Sequence, residues 1–425
     1  MRAEDMILVS VDDHVVEPSD MFDNHLSGRY ADRKPYVRRK RSGVDVWMYD
    51  GKEIANLAIN AVAGRPKDEY GVDPTSLDEI RPGCYDVDER IKDMNAAGML
   101  GSMCFPSFPG FCGRLFADTE DKDYALAVMQ AYNDWHIDEW CGSQPGRFIP
   151  LALPAMWSAE ITAAEVRRVA EKGCHAITFS ENPSVLGYPS LHDPYWDPFW
   201  QACSDTGTVP CLHIGSSSQL VVTSPDAPVD VMITLQPLNL VQAATDLVWS
   251  GIFLRFPQLK MALSEGGIGW IPYFLERIDR TYDRHRAWTG QDLGGILPSE
   301  LFKEHVITCF IDDAVGVKLR DDIGVDMVTW ECDYPHSDTN WPDCAELLAD
   351  QLEGLSDEDV NKITHENAMR LFQYDPFAVR PREQCTVAAL RAEAVGHDVS
   401  IRSSGQAMSH SGKVTAAAIQ AKATA

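Results

Sequence analysis

The chain has 425 residues, 45% of them hydrophobic and 24% charged, the composition of an ordinary globular protein. Its 64 acidic side chains outnumber 37 basic ones, and the formal charge of -27 argues against nucleic acid or an anionic membrane as partner. Eleven cysteines without a CxxC pair, many inside apolar runs, point to reduced packing thiols in a cytosolic protein and away from a disulfide framework.

The N-terminal MRAED lacks the basic-then-apolar order of a secretion signal. The first element is a strand, MILVSV, and DDHVVEP comes directly after it. Ionisable groups at the end of an apolar strand are costly unless paired, exposed or bound to a cation. Residues 22–97 then read as an insertion, with VDVWMYDGKEI as a strand pair and Pro/Gly-rich turns after it, forming a cap or lid. Further strands are LGSMCF, RFIPLAL, CHAITF, VPCLH, KMALSE, HVITCF and DMVTWEC, with helical patterns such as ITAAEVRRVAEKG between them. The apolar stretch LNLVQAATDLVWSGIFLRF is interrupted by Gln242, Asp246 and Arg255 and reads as a buried-face helix, not a membrane span. SDEDVNKITHENAMRLF closes the series, with Ser356 as N-cap. Past residue 378 the pattern dissolves, and 379–425 reads as an extension that is partly flexible or docks on a neighbour.

Eight strands alternating with helices predict an α/β fold, a distorted (β/α)8 TIM barrel over 1–378 with its cap inserted between strands one and two. In such a barrel functional side chains project from the C-terminal strand ends. Those ends carry Asp12 and His14, Glu181, His213, Glu265, and Asp333 with His336. Carboxylates and imidazoles gathered at one rim suit one or two divalent transition-metal ions such as Zn, Fe or Mn. Taken singly, each has a plainer explanation: a strand-end histidine bonds locally, and an aspartate caps the next helix.

The order D-x-H, strand-five His and strand-eight Asp resembles the amidohydrolase superfamily. FPQLKMALSEGGIGWIPYFLERID and DYPHSD with HENAMRLF resemble its amidohydrolase-related branch, typified by aminocarboxymuconate-semialdehyde decarboxylase. The resemblance spans roughly residues 6 to 376 and implies the barrel, a metal centre and a homodimer. It makes His14, His213 and Asp333 metal ligands, Asp333 also handling protons. Two departures stand out: Asp12 replaces the first histidine of the family's H-x-H, and Glu265 replaces the strand-six histidine. Both put anionic oxygen where the family has neutral nitrogen, so Glu265 becomes a ligand or a bridge to a second ion. Glu181 either shares that role or belongs to a Ser-Glu-Asn turn that holds substrate. Asp13 and Glu17 orient or cap.

Metal-activated water, with Asp333 taking its proton and His336 donating to the oxyanion, predicts hydrolysis at a carbonyl carbon. The plainer alternative for His336 is packing under Pro335. From Arg29 to Arg41 seven of thirteen residues are basic, including Arg38, Arg39, Lys40 and Arg41. Such a run is either a solvated face or a phosphate-binding rim for a coenzyme A thioester. The branch includes a non-haem di-iron thioesterase of diterpenoid thioacid biosynthesis, and thioester hydrolysis with a bulky acyl group is the first expectation. The alternative is non-oxidative decarboxylation of an aromatic or unsaturated acid, the chemistry much of the branch performs. A third reading is a ligand-binding barrel without turnover.

Overall fold

The structure, a computed structural model, describes residues 1–425 except 27, 56, 59, 72–73, 220, 404–413 and 418–425. In chain order the strands are β1 (Leu8–Val15), β2 (Tyr36–Arg39), β3 (Asp45–Tyr49), β4 (Lys52–Ile54), β5 (Met99–Pro106) and β6 (Leu151–Ala152). They continue as β7 (Ala176–Ser180), β8 (Val209–His213), β9 (Met261–Ser264), β10 (Val306–Phe310) and β11 (Val328–Trp330). Strands β2, β3 and β4 form a separate antiparallel sheet, and the other eight run parallel in the order β5-β1-β11-β10-β9-β8-β7-β6. The two edges meet where Ser102 N–H donates to Arg147 O (3.1 Å) and Ile149 N–H to Ser102 O (3.0 Å). The ring is a (β/α)8 barrel, and all eight strand runs expected from the sequence are in it.

Period-two alternation sorts the barrel residues. Met6 and Leu8 face the helices, whereas Ile7, Val9 and Val11 join Met103, Cys211 and Ile307 in the interior cluster. Each strand is covered on both faces, so it reads as a continuous apolar run. All eleven cysteines are buried free thiols. The helix Leu238–Trp249 packs its apolar side inward, and among the described residues no helix is long and apolar enough to cross a membrane.

Within 22–97, Trp47 on β3 stacks on Phe108 (4.3 Å between ring centroids), which ties the small sheet to the loop after β5. The last part of that segment is the helix Val87–Ala97, begun by Asp86, whose carboxylate accepts from Glu89 N–H (3.0 Å). Beyond residue 378 a short helix, Val387–Glu393, packs under the barrel, with Leu390 in the interior cluster and Val387 N–H bonded to Met6 O (2.9 Å). Most of the small-residue tail lies outside the described residues.

Gly98 ends the helix Val87–Ala97 in a left-handed conformation (φ 79°), and a Cβ there would sit 2.6 Å from Val387 Cγ1. Gly98→Ala is therefore strained in its backbone and against the C-terminal helix. Its expected cost is about 1–3 kcal/mol, read as a lower urea midpoint.

His136 is fully buried beside Tyr132 and Trp135, and burial pushes its pKa down to about 4. The folded chain holds it neutral, while the unfolded chain protonates it near pH 6.5. The unfolded state thus binds the extra proton. This contribution to stability is complete above pH 6.5 and is lost as the pH falls toward 4. His136→Phe should remove about 2–3 kcal/mol of the stability lost between pH 7 and pH 4.5, measured by urea unfolding at both values.

Candidate metal centre

The site begins with an irregularity in β1. Ser10 pairs with Ser102 and Asp13 with Cys104, so β1 spends one residue more than β5 over that interval. A bulge of this kind re-aims the side chains after it. Val11 and the next residue, Asp12, therefore both face the barrel axis, and His14 joins Asp12 on the inward side. Asp13 turns the other way, accepting from Ser102 Oγ and from Tyr334 N–H (2.9 Å). Arg90, fully buried, donates to the carbonyls of His14 and Gly83 and locks the strand end. Glu17 accepts from Ser107 N–H (2.9 Å), Phe108 N–H (2.8 Å) and Tyr132 Oη–H (3.0 Å), which fixes the loop after β5. Asp13 and Glu17 do orient the site, and burial raises each to a pKa of about 7.

His213 ends β8, and its Nδ1–H donates to Ile214 O (2.7 Å). That bond fixes the orientation of the ring and turns Nε2 toward the centre. His213 Nε2 lies 3.5 Å from Asp12 Oδ2 and 3.2 Å from Glu265 Oε2. His14 Nε2 lies 3.6 Å from Asp12 Oδ1 and 3.1 Å from Asp333 Oδ1, and Asp333 Oδ1 is also 2.9 Å from His336 Nδ1. The His14 and His336 rings stack at 3.6 Å. Two trios result, Asp12–His14–His213 and His14–Asp333–His336, each with donor atoms within 4.8 Å of one another.

Buried acids and imidazoles crowd one another at this rim. Both carboxylate oxygens of Asp12 and Asp333, and Nε2 of His14 and His213, are buried without a well-directed hydrogen bond. Burial raises Asp12 and lifts Asp333 well above the usual carboxylate range, the latter helped by the charges of Glu265 and Asp12. Burial and the Asp12 charge push Glu265 up to about 8. Against the effect of burial, Asp12 and Glu265 raise His213 to about 9. Burial, helped by the charge of His213, takes His336 down to about 3. Orphaned buried polar atoms are rare in proteins, and here they converge as an oxygen and nitrogen donor set. The residues fit a divalent transition metal.

The amidohydrolase family profile matches residues 54–373. The chain belongs to the amidohydrolase family. Among its relatives, the 2-amino-3-carboxymuconate-6-semialdehyde decarboxylase of Dictyostelium discoideum is 26% identical over 270 residues, 62% of this chain and 70% of that protein. An amidohydrolase structure from Mycobacterium avium subsp. paratuberculosis K-10 superposes with a TM-score of 0.65 at 21% identity, covering 86% of this chain and 97% of that one. A 5-carboxyvanillate decarboxylase from Novosphingobium aromaticivorans, solved with manganese and 4-hydroxy-3-methoxy-5-nitrobenzoic acid, superposes with a TM-score of 0.57 at 19% identity, covering 86% and 96%.

Other candidates from this amidohydrolase's sequence fall elsewhere. Glu181 is not in either trio. Its oxygens are taken by the Ser216 and Ser217 hydroxyls and by Ser217 N–H (2.6 Å), so it shapes the loop after β8. The basic run is largely neutralised where it stands. Arg38 and Lys40 pair with Glu53, and Arg39 pairs with Asp45 (2.7 Å) and Asp78. Arg41 lies just beyond β2 and is exposed. A phosphate handle would have to break those pairs, so a locally paired face describes Arg38, Arg39 and Lys40 better than a binding rim. Glu265 sits beside His213 with its side chain 16% exposed and its backbone left-handed, φ 65°.

One buried acid escaped the sequence reading. Glu331 is 1% exposed, and its pKa is raised well above normal by burial and by the charge of Asp12. The signal was available. Met327 and Cys309 belong to the interior cluster, and a two-residue step from Met327 passes through Thr329 and Glu331 to Asp333.

Proposed function

We propose that this amidohydrolase is a divalent-metal-dependent decarboxylase of a small aromatic or unsaturated carboxylic acid. The observation that carries the reading is a donor set at the barrel rim together with relatives that are themselves decarboxylases. The expectation of thioester hydrolysis loses its main support with the pairing of Arg38, Arg39 and Lys40.

Asp12, His14, His213 and Asp333 would hold the metal, with Glu265 as a further oxygen donor. Mn, Fe and Zn all accept these atoms. When bound, the metal supplies Lewis-acid anchoring of substrate oxygens next to the departing carboxylate. Asp333 lies against both His14 and His336, an arrangement that supports a role for its carboxyl in delivering a proton to carbon. The bond between that carbon and the carboxylate breaks, carbon dioxide leaves, and the proton takes its place on the carbon. The Asp333 proton is then restored from water. Phe105 and Phe111 stand 4.8 and 4.2 Å from the His213 ring and make one wall apolar. Such a wall favours the change from a charged carboxylate to neutral carbon dioxide.

The test is a substrate panel on the chain loaded with Mn2+: hydroxybenzoic acids, carboxymuconate-type acids, and acyl-coenzyme A thioesters. Metal-dependent carbon dioxide release from one of the acids is the expected result. Cleavage of a thioester with no carbon dioxide from any acid would overturn the reading and reinstate hydrolysis. The homodimer implied by the family resemblance is read separately, by light scattering.

A further inference from the structure

Glu265 holds a backbone conformation that side chains other than glycine rarely adopt, φ 65° immediately after β9. It leaves the strand there, so its amide has no partner in the barrel ladder. The amide instead donates across the interior to Glu331 Oε2 (3.1 Å). The Cys309 thiol donates to the same oxygen from β10. An apolar side chain is the ordinary occupant of a barrel interior, and Met327 and Cys309 belong to its apolar cluster. A buried carboxyl is costly there and needs a reason.

We propose that Glu331 is the positioning residue for Glu265. By taking the orphaned amide it holds Glu265 in the left-handed region, and that twist turns the Glu265 carboxylate onto His213 Nε2 (3.2 Å). Without the acceptor, a buried amide would be left unpaired. The backbone then relaxes toward an extended conformation and carries the Glu265 carboxylate away from the metal-binding atoms. Glu331 itself reaches neither trio. It acts through one hydrogen bond. The inference rests on the proposed function only in that Glu265 faces a metal.

The experiment compares Glu331→Gln, Glu331→Leu, Glu265→Gln and the Glu265→Gln/Glu331→Leu pair in the full chain, with Mn2+ as probe. Affinity is read by calorimetry, the Mn2+ environment by electron paramagnetic resonance, and the Glu265 amide by hydrogen exchange of the 261–268 segment. Glu331→Leu should weaken Mn2+ binding about tenfold, to the level of Glu265→Gln, and the double variant should be no weaker than either. Glu331→Gln retains an acceptor oxygen and should bind Mn2+ like the parent chain. Additive losses, or an unchanged Mn2+ spectrum in folded Glu331→Leu, would overturn the proposal. Should the leucine variant not fold, Glu331→Met fills the volume and takes its place. Unchanged amide protection of 261–268 in the methionine variant overturns the proposal, and loss confined to that segment supports it. A parent chain that binds no Mn2+ would sink the proposed function while the exchange measurement still decides this one.

Discussion

Asp333→Asn is expected to yield a folded chain that still takes up Mn2+ but turns over about a thousandfold more slowly. The amide matches the carboxyl in shape, and the backbone bond from Asp333 N–H to Asp12 O (2.8 Å) is untouched. What goes is the group proposed to carry the proton to carbon, and general acid catalysis of this kind is worth roughly 10²–10⁴ in rate. Loss of an anionic ligand would also loosen the metal, so Mn2+ content and turnover must be measured on the same preparation. A variant with full metal and full turnover would remove Asp333 from the chemistry.

The second large effect has opposite signs in two states. Asp12→Asn should stabilise the metal-free chain by about 1 kcal/mol and abolish most of the stabilisation that Mn2+ confers on the parent. Asp12 is fully buried without a well-directed hydrogen bond, and the cost of burying its charge outweighs the pull of His213, so its pKa is raised. A neutral amide avoids that burial cost. With Mn2+ at a hundred times its Kd the parent should gain about 2.7 kcal/mol, and the variant far less. Thermal unfolding with and without Mn2+ reads both halves. A variant less stable in the metal-free state and equally protected by Mn2+ would mean that Asp12 is structural.

The barrel was legible because a strand covered on both faces leaves a continuous apolar run, and eight such runs punctuated by helical patterns have few other solutions. The rim was legible for a related reason. Acids and imidazoles directly after apolar runs, as at Asp12, His213 and Asp333, have no ordinary structural use in such number. Three things were less accessible. The identity of the side chain that faces inward depends on strand phase, and a bulge in β1 shifts it. Glu331 was hidden inside WEC, where the neighbouring Asp333 drew attention from an acid two residues before it. Glu181 and the basic run were misleading because sequence shows charge but not which opposite charge stands beside it. Ser216 and Ser217 lie far along the chain from Glu181, and Glu53, Asp45 and Asp78 are spread across the insertion.

The extra residue in β1 also says how this centre can be lost or altered. Deleting one residue between Ser10 and Asp13 would restore strict alternation and leave the composition of the strand almost unchanged. Ser10 and Asp13 would keep their partners on β5, and only one inward place would remain between them. Val11 and Asp12 could then no longer both face the axis, so the donor set depends on spacing within this strand as well as on side-chain type.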